Sequence, residues 1–269
     1  MALALTGMAA GCGGDSGDSA GDDVDGATPS TAVTTPAVAP TAGGTTVPPT
    51  DLTLRVTDVQ LVNSEDSDNG VRILLPPGVA TAAVTLTGVA PGNRISVCQA
   101  RELESRLSSG ACRTPTSGEA VNVTLGSTAS GVEIVPVAVP GGAPAGSTTT
   151  LQEVSIRYAA SSREVNVRLP QIAAGESGGR PTFALTPAGP GGPYQARLTW
   201  TVIQVFGGTP SNGQLELLRG GAVANSAASG GLEVRLTGDV PAPVGDAAIR
   251  VQNVGSSAMV SPKLSLVLP

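Results

Sequence analysis

The densest run of oxygen-bearing side chains in the chain is Glu65-Asp66-Ser67-Asp68-Asn69-Gly70. Hard cations such as calcium take several oxygen ligands from one loop, and Glu65, Asp66, Asp68 and Asn69 are the residues that could supply them. Only Asn69-Gly70 falls where an EF-hand loop needs it, so a polar turn ending in an Asn-Gly hairpin signal is the competing reading. Lys263 is the only lysine, and Ser261 lies two residues away. Residues at that spacing on a strand share a face, so the two could form a serine-lysine pair. Such a pair also needs a buried lysine and an oxyanion hole, and a solvated strand end is the simpler reading. The chain has no histidine, which removes the commonest general base and nitrogen metal ligand.

Other carboxylates, such as Glu102 and Glu104 or Glu216 and Glu233, stand singly among Arg101, Arg106, Arg219 and Arg235. Glycosidase chemistry needs two acids facing across a cleft, and nothing in the spacing pairs these. Surface ion pairs are expected instead. Five aromatic residues, Tyr158, Phe183, Tyr194, Trp200 and Phe206, offer few stacking platforms for sugars or bases. Trp200 shares a face with Leu198 and Val202 and reads as core.

The start of the chain is small and apolar from Ala2 to Ala10 and ends at Gly11-Cys12. Ala9-Ala10-Gly11-Cys12 resembles the lipobox of bacterial lipoproteins, of an actinobacterial kind. Ala9 stands where that family usually has Leu, and no Lys or Arg precedes the apolar run, so the natural start is expected upstream of Met1. The resemblance implies cleavage before Cys12, with residues 1–11 left as a signal-peptide remnant. It also implies acylation of the Cys12 thiol, and anchoring to the outer face of the cytoplasmic membrane. Two or three acyl chains, at about 0.8 kcal/mol per buried methylene, hold a protein stably where one does not. With Cys12 assigned to the anchor and the chain to export, Cys98 and Cys112 remain as one pair, read as a disulfide. The alternative, a metal pair, has neither histidine nor a third thiol to complete it.

Residues 12–50 follow as an acidic tether. Asp15, Asp18, Asp22, Asp23 and Asp25 precede the first base, Arg55, and Thr and Pro recur from Thr28 to Thr50. A segment with no aromatic residue and no Ile buries too little apolar area to offset its ordering entropy, so it is expected to be disordered. Five of the 21 acids sit there, which leaves sixteen against fifteen bases in the rest of a chain of net charge −6. A near-neutral body gives no electrostatic reason to bind nucleic acid. The partners expected are the membrane, through the lipid, and another envelope protein.

Chemistry aside, the body reads as strands. Gly and Pro make up about a fifth of the 269 residues, and apolar residues alternate with polar ones in many short runs. Examples are Val84-Leu86, Val121-Val123-Leu125, Val154-Ile156-Tyr158, Leu232-Val234-Leu236 and Leu264-Leu266-Leu268. Val132 and Ile134 keep one phase and Val135 and Val137 the other, so an edge strand with a bulge is expected near Pro136. Ala100 to Leu107 favours a short helix. The fold expected is all-β: two antiparallel β-sandwiches in tandem, at 51–172 with the disulfide and at 193–269. Residues 173–192 form a linker holding a possible short strand, with the boundary near Gly175.

A weak echo joins the halves. Thr85-Leu86-Thr87-Gly88, Pro91 and Ile95-Ser96-Val97 match Arg235-Leu236-Thr237-Gly238, Pro241 and Ile249-Arg250-Val251. Leu198-Thr199-Trp200, Gln214-Leu215-Glu216-Leu217 and Leu236 through Val251 resemble the pre-peptidase C-terminal jelly-roll of secreted bacterial peptidases. That resemblance implies an accessory or binding module. The sequence therefore reads as a non-enzymatic binding, assembly or spacer module of the cell envelope. A secreted hydrolase with a loop-built site and a calcium-dependent adhesion module are the alternatives.

Overall fold

The computed structural model describes residues 48–62, 70–103, 112–126, 130–137, 147–175, 179–201, 211–242 and 246–268. The part of the chain before Gly175 contributes β1 (Thr50–Val62), β2 (Val71–Leu74), β3 (Thr81–Thr87), β4 (Arg94–Ala100), β5 (Ala120–Thr124), β6 (Gly131–Val137), β7 (Thr148–Ala160) and β8 (Glu164–Arg168). The part after it contributes β9 (Thr182–Thr186), β10 (Gly192–Thr201), β11 (Gly213–Arg219), β12 (Ala222–Ser229), β13 (Glu233–Val240), β14 (Ala248–Asn253) and β15 (Val260–Val267).

These form two antiparallel sheets, as the alternating runs require. One has eight strands in the order β12-β11-β14-β9-β1-β7-β3-β5, and the other has seven in the order β13-β10-β15-β8-β2-β6-β4. Each sheet turns one face to the other. Leu54, Val56, Ile156 and Phe183 on the first sheet and Ile73, Val167, Leu198 and Leu264 on the second are all buried in one hydrophobic cluster, which runs from Leu52 to Leu268. Burial of this alternating set is the main driving force for the fold.

Gly175, where composition shifts, lies between β8 and β9, and both sheets continue past it. β9, the short strand of the 173–192 stretch, pairs with β1 on one side and β14 on the other. In the second sheet β8 pairs with β2 and β15. Phe183 and Leu185 point inward from β9, so this segment fills the layer between the halves with apolar side chains of its own.

Three local features differ from the sequence reading. β6 is an internal strand flanked by β2 and β4, where an edge was expected. Pro136 is tolerated because β2 pairs only as far as Ile134, so the missing N–H of Pro136 faces no strand on that side. The close β2–β6 approach depends on Gly131, where a Cβ would lie 2.0 Å from the Ile73 carbonyl oxygen. Ala100, where a helix was expected to begin, is the last residue of β4, Arg101 and Leu103 after it are bends, and 104–111 lies outside the described residues. Finally, the inward phase of β1 changes from Leu52, Leu54 and Val56 to Val59 and Leu61. Asp58 makes the change, with φ of 57°, and its carboxylate accepts the Arg180 N–H at 2.9 Å. An Asp that accepts a local hydrogen bond is among the residues that adopt this left-handed conformation most readily.

Candidate binding surface

Of the residues singled out for chemistry, Cys12, Glu65, Asp66, Asp68 and Asn69 lie outside the described residues. Cys98 and Cys112 are joined by a disulfide, with the Cα atoms 4.2 Å apart. A structural disulfide in a β domain belongs to an oxidising compartment, outside the cytoplasm.

Ser261 sits at a bulge of β15 with φ of 47°. Its hydroxyl accepts a hydrogen bond from Arg168 Nη2 at 3.2 Å. A guanidinium stays charged and cannot take a proton, so the group at this hydroxyl is an electrostatic partner and not a base.

The outer face of the seven-stranded sheet carries a polar row that single-residue patterns do not reveal. Strand register places Cys98, Glu133, Arg72, Arg168, Lys263, Thr199 and Glu233 side by side across all seven strands. The middle of this row is buried: Arg72 and Glu133 are each 1% exposed and Arg168 is 6% exposed. Glu133 Oε1 accepts from Arg72 Nε at 2.6 Å. The Leu103 carbonyl accepts from Arg72 Nη1 at 2.9 Å and from Arg168 Nη1 at 3.5 Å. At the far end, on open surface, Glu233 accepts from Arg197 at 2.8 Å and also from Arg235. Those bonds, Arg197's first, hold its carboxyl down to about 2. Glu216, read from sequence as a surface carboxylate, is 6% exposed and bonded to Arg250 at 2.5 Å across β11 and β14. These carboxylates are spent on holding neighbouring strands.

Side chains available for recognition gather at one end of the sandwich, around the segment that follows Cys112. Arg113 and Val97 exchange backbone hydrogen bonds of 2.7 and 2.9 Å, and the Ser96 and Thr114 hydroxyls meet at 2.9 Å. Glu119 closes the far side of the segment by accepting from the Thr116 N–H at 2.9 Å and its hydroxyl at 3.0 Å. The Thr116 N–H first, then its hydroxyl and the Arg113 charge, lower the Glu119 carboxyl below its ordinary range. Gly118, at φ of 85°, makes the turn and donates to the Leu86 carbonyl at 2.8 Å.

The braced segment divides two open depressions. One, of about 440 Å³, is lined by Arg113, Pro115, Glu119 and Asn122. The other, of about 470 Å³, is lined by Val89, Pro91, Asn93, Arg94 and Thr116. A smaller one, about 240 Å³, lies where β1 meets β9, between Arg55, Thr57, Thr186 and Asp246. Two guanidiniums, two carboxamides and short apolar walls suit hydrogen-bonded and ionic recognition. The sequence reading passed over Arg94, Arg113 and Asn122. Their only sequence signal is nearness to Pro91-Gly92 and Thr114-Pro115, turn residues beside a cysteine.

No family model matches the chain, and no curated protein matches it. Among solved structures it is similar to the M60 catalytic domain with the CBM51-1 and CBM51-2 domains of Clostridium perfringens ZmpB. That match has 9% identity and a TM-score of 0.20, and covers 79% of this chain and 36% of the other. The chain thus spans about a third of that protein's length. A second similarity is to the N-terminal CBM22-1-CBM22-2 tandem domain of Paenibacillus barcinonensis Xyn10C, at 13% identity and a TM-score of 0.16. It covers 77% of this chain and 72% of the other. At such scores neither bears on the fold or on function. The class of protein is set by the strands themselves: an all-β, disulfide-bearing sandwich protein.

Proposed function

We propose that this protein is a lipid-anchored envelope module that binds a partner and carries out no catalysis. Cys12 bears the anchor, residues 12–50 form the tether, and the end of the sandwich around Arg94 and Arg113 meets the partner. The observation that carries this reading is the Cys112–Glu119 segment, fixed at one end by the disulfide and at the other by the Thr116–Glu119 hydrogen bonds. A rigid scaffold that presents exposed polar side chains between two depressions is what a binding surface requires. Two exposed arginines there favour an acidic envelope component.

The test has two arms. Labelled fatty acid should enter the wild-type chain and not the Cys12→Ala variant, which should leave the membrane fraction. Purified cell envelope should retain the soluble Cys12→Ala protein and release it when Arg94 and Arg113 are both changed to Ala. A chain that takes up no fatty acid refutes the anchor. Retention unchanged by the double substitution refutes the surface.

A further inference from the structure

Most exposed arginines of this protein face a carboxylate. Arg55 pairs with Glu153, Arg157 with Asp51, Arg197 and Arg235 with Glu233, and Arg250 with Glu216. Arg94, Arg101 and Arg113 differ, since their guanidiniums make no hydrogen bond or ion pair among the described residues. All three lie on β4 or against it. Arg94 opens the strand, Arg101 follows its last residue, and Arg113 bonds to Val97 at its middle. Residues 94–101 and 112–118 contain no acid. Glu119, which follows the second run, has its carboxylate held by Thr116.

The two depressions beside Arg113 repeat one arrangement. They are of near-equal size, about 440 and 470 Å³, and share Thr114 and Pro115 as a common wall. Each holds one of these guanidiniums and one carboxamide, Arg113 with Asn122 in the first and Arg94 with Asn93 in the second. Neither carboxamide makes a side-chain hydrogen bond among the described residues. Both are fixed by the backbone. The Asn93 N–H donates to the Ala90 carbonyl at 3.1 Å across the Pro91-Gly92 turn, and Asn122 lies on β5 opposite Ala83.

We propose, resting on the binding surface named above, that the two depressions hold successive units of an acidic polysaccharide, a chain whose sugars carry carboxylate and hydroxyl groups. A guanidinium meets a carboxylate with two parallel donors, and a carboxamide both donates to and accepts from a hydroxyl. A ligand that offers this pair of groups twice in succession is a polymer of sugar acids. An acidic peptide adding as a strand is disfavoured, because Arg113 already takes both backbone groups of Val97 on the free side of β4. Tyr158, Phe183, Tyr194 and Trp200 are all buried, so no described aromatic is left to stack the bases of a nucleic acid. The sugars are held by charge and hydrogen bonds, not by stacking. Exposed ion pairs contribute little singly, so affinity comes from several units of one chain engaged together.

Titrating the full chain carrying Cys12→Ala with polygalacturonate tests this apart from the anchor. Binding should be measurable at physiological ionic strength and weaken as salt rises. Monomeric galacturonate at the same carboxylate concentration should not compete. Arg94→Gln and Arg113→Gln should each weaken binding about two- to five-fold, while Arg157→Gln on the other sheet should leave it unchanged. Asn93→Ala and Asn122→Ala should weaken binding of polygalacturonate but not of polyacrylate, a carboxylate polymer without hydroxyls. Polygalacturonate that fails to bind, while the Arg94 and Arg113 double substitution still releases the protein from cell envelope, overturns this ligand and leaves the surface standing. The proposal also falls if the monomer competes equally, if the asparagine variants weaken both polymers alike, or if polyphosphate binds more tightly than polygalacturonate.

Discussion

Arg72 on β2 and Arg168 on β8 stand directly opposite one another, both buried, and both donate to the carbonyl oxygen of Leu103. Two like charges at that distance in a water-poor place repel each other and lose hydration. Their placement is tolerable because Glu133 neutralises Arg72 and because the chain beyond β4 brings Leu103 over them. The Cys98–Cys112 bridge closes the loop to which Leu103 belongs, and Cys98 itself stands opposite Glu133. Disulfide and ionic row therefore form one structural unit.

Reducing the disulfide, or changing both cysteines to serine, should destabilise the protein beyond the loop-closure term. Closing a loop of this length contributes about 3 kcal/mol, and in a body of this size that corresponds to about 6–12 °C of melting temperature. Calorimetry with and without reductant checks this. A larger shift means that Leu103 has also left Arg72 and Arg168.

Glu133→Ala should be among the most damaging single substitutions. Removing one partner of a buried ion pair costs about 3–5 kcal/mol, because the other charge remains buried. Arg72→Met combined with Glu133→Leu should lose much less, since no charge is stranded. Denaturant midpoints of the two variants and the wild type decide between these outcomes.

Burial pushes the Tyr158 hydroxyl up to about 12, and its oxygen has no hydrogen-bond partner among the described residues. Above the ordinary tyrosine value of 10 the unfolded chain gives up this proton while the folded chain keeps it. Stability is thus fully present below pH 10 and is lost as pH rises toward 12. Tyr158→Phe should flatten that alkaline slope and at pH 7 leave stability unchanged or raised by about 1 kcal/mol. Melting temperatures measured against pH provide the check.

Gly213→Ala should be felt by the one tryptophan. A Cβ at Gly213 would lie 2.5 Å from the Trp200 ring, whose Nε1 donates to the buried Ser211 hydroxyl at 2.7 Å. Overfilling a packed site costs about 1–3 kcal/mol. Fluorescence of Trp200, free of interference from any other tryptophan, should shift along with the loss of stability.

Much of the fold was legible in the chain because a strand with one buried face writes a two-residue period. Val84 and Leu86, Val154 to Tyr158, and Leu264 to Leu268 all point inward as that period requires. Trp200 lies in the core beside Leu198, and Cys98 and Cys112 form the bridge that the sequence reading paired. What the period cannot carry is which strand lies beside which, since hydrogen bonding between strands is indifferent to sequence. The tertiary structure alone sets β9 between β1 and β14, joining the halves into continuous sheets. The same holds for function. Arg72 sits between Val71 and Ile73 and reads as an ordinary outward residue, yet residues distant in the chain, Leu103, Glu133 and Arg168, bury it. Arg94, Arg113 and Asn122 gain meaning only when the disulfide brings the segment after Cys112 back against β4. Local alternation determines what is a strand, and long-range contacts decide which side chains those strands bury and which they leave at the surface.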